Sequence, residues 1–259
     1  MPEVIFAGPA GRMEGRYSPG KNETAPIALI LHAHPKAGGS MLDRVTVGLS
    51  QVFAARGFGV LRFNFRGVGR SQGVFDNGQG ELSDAATALD FLQGVNNDAR
   101  QCWVAGHSFG AWIGLQLLMR RPEIDGFIAV SPPANHYDLS FLAPCPSSGL
   151  VVYGTEDRVA PPQDVERAAQ RIRTQKHIHV ERQAIAGANH FFESHLDQVM
   201  LASGTYLDRR LSEAVAPQPV IRGRGKAGAA ALRAAAQTHE PDEVDEPLDL
   251  LEEDEGDED

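Results

Sequence analysis

The chain has 259 residues, 42% of them hydrophobic, with 24 Lys and Arg against 34 Asp and Glu. That length and apolar content suffice for one sizeable core, and no second set of strand–helix units follows, so a single folded domain is expected. The formal charge of −10 belongs to one end: residues 240–259 hold 13 acidic side chains and no basic one, whereas residues 1–214 hold 20 Lys and Arg against 21 Asp and Glu. A near-neutral domain offers no field for phosphates, which excludes nucleic acid as a partner.

From the N-terminus, residues 4–7 and 12–17 read as an antiparallel pair. The apolar runs 27–31, 60–65, 102–105, 127–130 and 150–153 follow, each short enough to be a buried parallel strand. Helical periodicity lies between them, with Leu82, Ala85, Ala86 and Leu89 on one face and Val165, Ala168, Ala169 and Ile172 on another. Such alternation predicts the α/β class, a mostly parallel, doubly wound sheet with helices on both faces. Ligands of such sheets bind beyond the carboxyl ends of the strands. Residues 1–213 are expected to form the domain. From Ala214 the chain turns to Pro, Gly, Arg and Ala and then to the acidic block, which predicts a disordered tail over 214–259. Within it, 227–236 is at most a marginal helix, and the acidic part is open to an unidentified protein partner. Residues 1–8 lack a basic region followed by an apolar core, and no run of about 18 apolar residues occurs. Cys102 and Cys145 make no disulfide framework, so a cytoplasmic protein without a membrane span is expected.

Gly106-His107-Ser108-Phe109-Gly110 stands between the apolar run 102–105 and the helix-like Ala111-Trp112-Ile113-Gly114-Leu115. A strand-to-helix turn of this kind lifts a serine hydroxyl above the sheet and leaves the next peptide N–H, that of Phe109, free for an oxyanion. A serine nucleophile needs a base in reach and an acid to hold the base. Glu156 and Asp157 follow the run 150–153, and His190 lies in a loop between a late strand and the final helix, giving the order serine, acid, histidine. Gly67, Gly69 and Gly73 have neither the spacing nor the lysine of a phosphate loop and read as a turn, and Arg66 is expected to brace the active-site floor, with substrate contact as the alternative. Metal sites from His32 and His34, or from His177 and His179 on the late strand, lack accompanying carboxylates or thiolates. No metal or other cofactor is expected.

With that triad order, His32-Ala33-His34-Pro35-Lys36-Ala37-Gly38-Gly39, Arg66-Gly67-Val68-Gly69-Arg70-Ser71 and Ser131-Pro132-Pro133-Ala134-Asn135-His136-Tyr137-Asp138 make residues from about 1 to 213 resemble the α/β-hydrolases. More narrowly they resemble small bacterial serine hydrolases without a lid, dienelactone-hydrolase-like or serine-aminopeptidase-like. Dienelactone hydrolases use a cysteine where this chain has Ser108, so their substrates do not transfer. The resemblance implies Ser108, Asp157 and His190 as catalytic residues and leaves Glu156 as a surface residue. It aligns His32-Ala33-His34 with the segment that supplies the second oxyanion N–H. Pro35 has none, so His34 is the first choice and Lys36 the second. The stretch from Ser131 to Ser148 is too short for a helical cap, which leaves an open site for a small-molecule acyl ester. Tyr137, Phe141 and Phe191 are expected to bind it, with Phe109, Phe192, Pro132 and Pro133 as further apolar lining. Ester hydrolysis is the expected reaction. The alternatives are amide hydrolysis of the serine aminopeptidase type and a non-catalytic scaffold binding an acyl ligand or a protein.

Overall fold

Among residues 1–172 and 178–215, which the computed structural model describes, the strands are β1 (Glu3–Gly8), β2 (Gly11–Ser18), β3 (Ile27–Leu31), β4 (Gly59–Phe63), β5 (Cys102–His107), β6 (Ile124–Val130), β7 (Ser148–Gly154) and β8 (Val180–Ile185). They form one sheet in the order β1-β2-β4-β3-β5-β6-β7-β8. β1 and β2 are antiparallel, β2 meets β4 antiparallel, and every later pairing is parallel. Helices α1 (Arg44–Ala54) and α5 (Leu196–Val215) cover one face. Helices α2 (Gln79–Gly94), α3 (Phe109–Leu118) and α4 (Pro162–Arg171) cover the other.

β3, β4, β5 and β7 are buried at every position, because parallel strands with helices on both faces have no wet side. Their side chains divide between two cores. Leu29, Leu31, Phe63 and Val104 meet α2 and α3, while Ala28, Ile30, Val60 and Ala105 meet α1 and α5. At the free edge, β8 carries Glu181, Arg182 and Gln183 with much of its surface in water. The chain order reverses beside β3, whose neighbours are β4 and β5, and a crevice at such a reversal is where ligands of open sheets bind.

Several sequence expectations need correction. The run 60–65 leaves the sheet at Phe63, because Asn64 turns away to accept the Met41 N–H (2.8 Å) and the Phe65 N–H donates to His32 Nε2 (3.0 Å). Ile172 is not helical: α4 ends at Arg171 and Ile172 has extended backbone. His179 precedes β8 rather than lying in it, and His177 lies outside the described residues. So do the expected tail beyond Val215 and its marginal helix. The linker between β6 and β7 holds only a short 3-10 turn, Ser140–Leu142, and among the described residues no cap covers the carboxyl ends of the strands. No helix among the described residues is long and apolar enough to cross a membrane.

Candidate active site

β5 runs directly into α3 through Ser108, whose φ of 54° and ψ of −119° lie outside the regions that L-residues favour. The Ser108 N–H donates to the Val130 carbonyl (2.8 Å), and its carbonyl accepts from Trp112 (3.2 Å), so the residue is held by the neighbouring strand and by the first turn of the helix. The flanking glycines are required by close approach. A Cβ on Gly106 would lie 2.5 Å from the Gly110 carbonyl carbon, and one on Gly110 would lie 2.4 Å from the His32 carbonyl oxygen. Any side chain there would push α3 off the ends of β5 and β3.

His190 Nε2 stands 2.9 Å from Ser108 Oγ, and its Nδ1 stands 2.8 Å from Asp157 Oδ2. The three residues are brought from the ends of β5, β7 and β8 and are 6%, 3% and 5% exposed, so their hydrogen bonds are shielded from competing water. Asp157 Oδ1 accepts the N–H groups of Val159 (2.9 Å) and Ala160 (2.8 Å). Burial opposes ionisation of this carboxyl, but the hydrogen bond and charge of His190 and the Ala160 N–H outweigh it, and its pKa falls below the ordinary aspartate value. Glu156, beside it, is exposed.

The loops carrying acid and histidine are cross-linked. Thr155 N–H donates to the Ile185 carbonyl (3.0 Å), Glu156 N–H to the Ala188 carbonyl (3.0 Å), and Gly187 N–H to Thr155 Oγ1 (2.8 Å). His107 adds a brace absent from the sequence reading: its Nε2–H donates to the His190 carbonyl (2.9 Å), and the two rings lie 5.1 Å apart. Burial, and then the neighbouring His190, lower the His107 pKa to about 3, so the ring is neutral. The sequence signal was its place before the serine, which by itself specifies no partner.

Phe109 opens α3, so its N–H has no acceptor within the helix and sits at the positive end of the helix dipole. His34 caps the 3-10 turn Pro35–Ala37, and its Nδ1 accepts the Lys36 N–H (3.1 Å). That bond occupies the donor that was the second choice for the oxyanion. The His34 ring packs 5.0 Å from Phe109 and 4.9 Å from Phe75, which brings its turn alongside the start of α3. His32 anchors the same loop. Its Nδ1–H donates to the Ala33 carbonyl (2.7 Å) and its Nε2 accepts from Phe65, leaving neither nitrogen free for a metal. Burial lowers its pKa to about 4. Arg66 braces the turn that follows, clasping the buried Asp84 with Nε (3.0 Å) and Nη2 (2.8 Å). Gly67, Gly69 and Gly73 all have positive φ, as expected of a turn.

A cavity of about 370 Å³ is lined by His107 and Phe191, the chain neighbours of Ser108 and His190, and of the three residues expected to bind substrate only Phe191 lines it. Tyr137 instead stacks on Trp112, with ring centroids 4.0 Å apart, and Phe141 packs against the core. The stack of Tyr137 on Trp112 holds the β6–β7 linker on α3. Phe109, Phe192, Pro132 and Pro133 are buried and line no part of this cavity.

Residues 38–147 match the model of the family described as serine aminopeptidase, S33. Among solved structures, a protein of unknown function from Agrobacterium tumefaciens, described as a candidate α/β hydrolase, is 57% identical. The match covers 84% of this chain and 100% of that one with a TM-score of 0.80. An α/β serine hydrolase homologue from Coxiella burnetii is 31% identical over 80% of this chain and 97% of its own, with a TM-score of 0.74. A Xanthomonas campestris α/β serine hydrolase without lid is 26% identical, covers 84% of this chain and 96% of its own, and has a TM-score of 0.73. With the sheet order and these relatives together, the chain belongs to the α/β-hydrolase superfamily and resembles its small bacterial hydrolases.

Proposed function

We propose that the chain hydrolyses carboxylic esters through an acyl-enzyme on Ser108. The observation that carries this reading is the unbroken hydrogen-bond chain from Ser108 Oγ through both nitrogens of His190 to Asp157. His190 Nε2 takes the Ser108 proton as Oγ attacks the ester carbonyl, and Asp157 holds the imidazole in the tautomer that leaves Nε2 free to accept it. The N–H groups of Phe109 and His34 receive the oxyanion. Each such donor typically contributes about 10² to 10³ in rate. The imidazolium then gives its proton to the departing alkoxide. A water deprotonated by the same ring attacks the acyl carbon and releases the acid and Ser108. No cofactor enters these steps.

The aminopeptidase name of the matched family favours a second reading, amide hydrolysis, in which His190 protonates a departing amine. Matched ester and anilide substrates with one acyl group separate the two. The primary test is intact mass after fluorophosphonate treatment. One adduct on wild type, lost in Ser108→Ala, is expected. No adduct on folded wild type would turn the reading toward a non-catalytic binding scaffold.

A further inference from the structure

The 370 Å³ cavity is walled by three separate segments: Ala33 and Ala37 from the turn around His34, Leu42 and Val45 at the start of α1, and Phe191, the chain neighbour of His190. His107, next to Ser108 in the chain, is part of the same wall. We propose that this cavity receives the alcohol half of the ester, and that this half is neutral and largely apolar. The proposal rests on the ester reading above and adds the leaving group.

Position decides which half enters. His190 Nε2 must deliver its proton to the departing oxygen, so the group attached to that oxygen lies on the side of His190. The residues directly after His190 form the cavity wall. Size and surface agree: about 370 Å³ is at the small end of ligand pockets, which run from about 300 to 1,000 Å³. Leu42 and Phe191, which border it, leave 59% and 56% of their surface in water that a ligand would displace.

Charge excludes anions. Arg44 is the cation in the lining, and its Nη1 donates to the Glu193 carbonyl (3.4 Å). Asp43 and Glu193 line the same cavity, and His107 contributes no positive charge at neutral pH. Two carboxylates against one guanidinium disfavour a phosphate or carboxylate on the leaving group.

The test uses the full chain and acetates of methanol, 2-phenylethanol and 2-hydroxyethyl phosphate, with methyl octanoate as the acyl-side comparison. In wild type, kcat/KM for 2-phenylethyl acetate should exceed that for the phosphorylated ester at least tenfold. Leu42→Trp, which narrows the cavity from an exposed position, should lower the 2-phenylethyl to methyl acetate ratio at least tenfold. It should move the methyl octanoate to methyl acetate ratio less than twofold. Phe191→Ala, also at an exposed position, should lower the first ratio through lost apolar contact, and circular dichroism verifies the fold of both. If the acyl ratio takes the loss, or neither ratio moves in either variant, the cavity is not the alcohol site. A wild type that takes fluorophosphonate on Ser108 yet cleaves no ester overturns the ester reading and the alcohol site with it. Ester turnover with unmoved ratios overturns only the site.

Discussion

Asp157→Asn tests how the triad holds its tautomer, because the protein fixes which way the new amide must point. Asp157 Oδ1 faces two donors, the Val159 and Ala160 N–H groups at 2.9 and 2.8 Å. An asparagine keeps its carbonyl oxygen there, since its NH₂ would oppose two N–H groups. The NH₂ then faces His190 Nδ1, which in wild type donates to Asp157 Oδ2 at 2.8 Å. Two donors cannot face each other at that distance, so the imidazole moves its proton to Nε2 and directs it at Ser108 Oγ, 2.9 Å away. In that tautomer Nε2 cannot accept the serine proton. In serine proteases the equivalent change lowers kcat about 10⁴-fold, or about 5 kcal/mol of barrier, and the same loss is expected here. Steady-state kcat on a saturating ester, with urea unfolding as the check on folding, measures it. A folded Asp157→Asn protein retaining kcat within tenfold of wild type would refute the assignment of Asp157 and the tautomer argument.

The two neutral histidines make stability depend on pH. Their folded pKa values, about 4 for His32 and about 3 for His107, lie below the ordinary 6.5, so between those limits the unfolded chain binds protons that the folded chain does not. Stability is full above pH 6.5 and falls as the pH is lowered, by about 4 kcal/mol from the pair at pH 5. Urea unfolding at pH 7.5, 6 and 5 reads the slope, and a ΔG unchanged across that range would show that these rings protonate freely in the fold. Gly110→Ala should destabilise by about 1–3 kcal/mol and depress kcat, because its Cβ meets the His32 and Leu31 carbonyl oxygens at 2.4 and 2.5 Å and moves the elbow off the oxyanion loop. Wild-type stability and kcat in that variant would show that the contact yields without consequence. Ser108→Gly and Ser108→Ala both lack the nucleophile and differ only in tolerance of φ 54°. The glycine variant should be more stable by about 1 kcal/mol, and the reverse order would contradict backbone strain at the elbow.

The candidate triad was legible because Ser108 and Asp157 each follow an apolar run and His190 precedes the last helix, and chemistry restricts each position to very few residue types. A nucleophile between close-packed glycines, a carboxylate after one buried strand and a histidine before the last helix can be found without knowing a single contact. The edge strand β8 was legible only by its place, because its Glu181, Arg182 and Gln183 face water and present no apolar run. Helix α1 carries its sequence signal only in Val45, Leu49 and Phe53, four residues apart. The supports of the site are harder to read for a different reason. His32 holds Phe65, 33 residues away, and His107 holds His190, 83 residues away, and histidine sequences alike serve as ligands, bases or buried braces. Tyr137 reads equally well as a pocket wall or as a stacking partner, and its stack on Trp112 is visible only in the fold. Reactive groups are constrained by the reaction, whereas the groups that position them are constrained only by tertiary neighbours. The second kind of constraint is the one that brings Ala37, Leu42 and Phe191 around a single cavity with His107, the chain neighbour of Ser108.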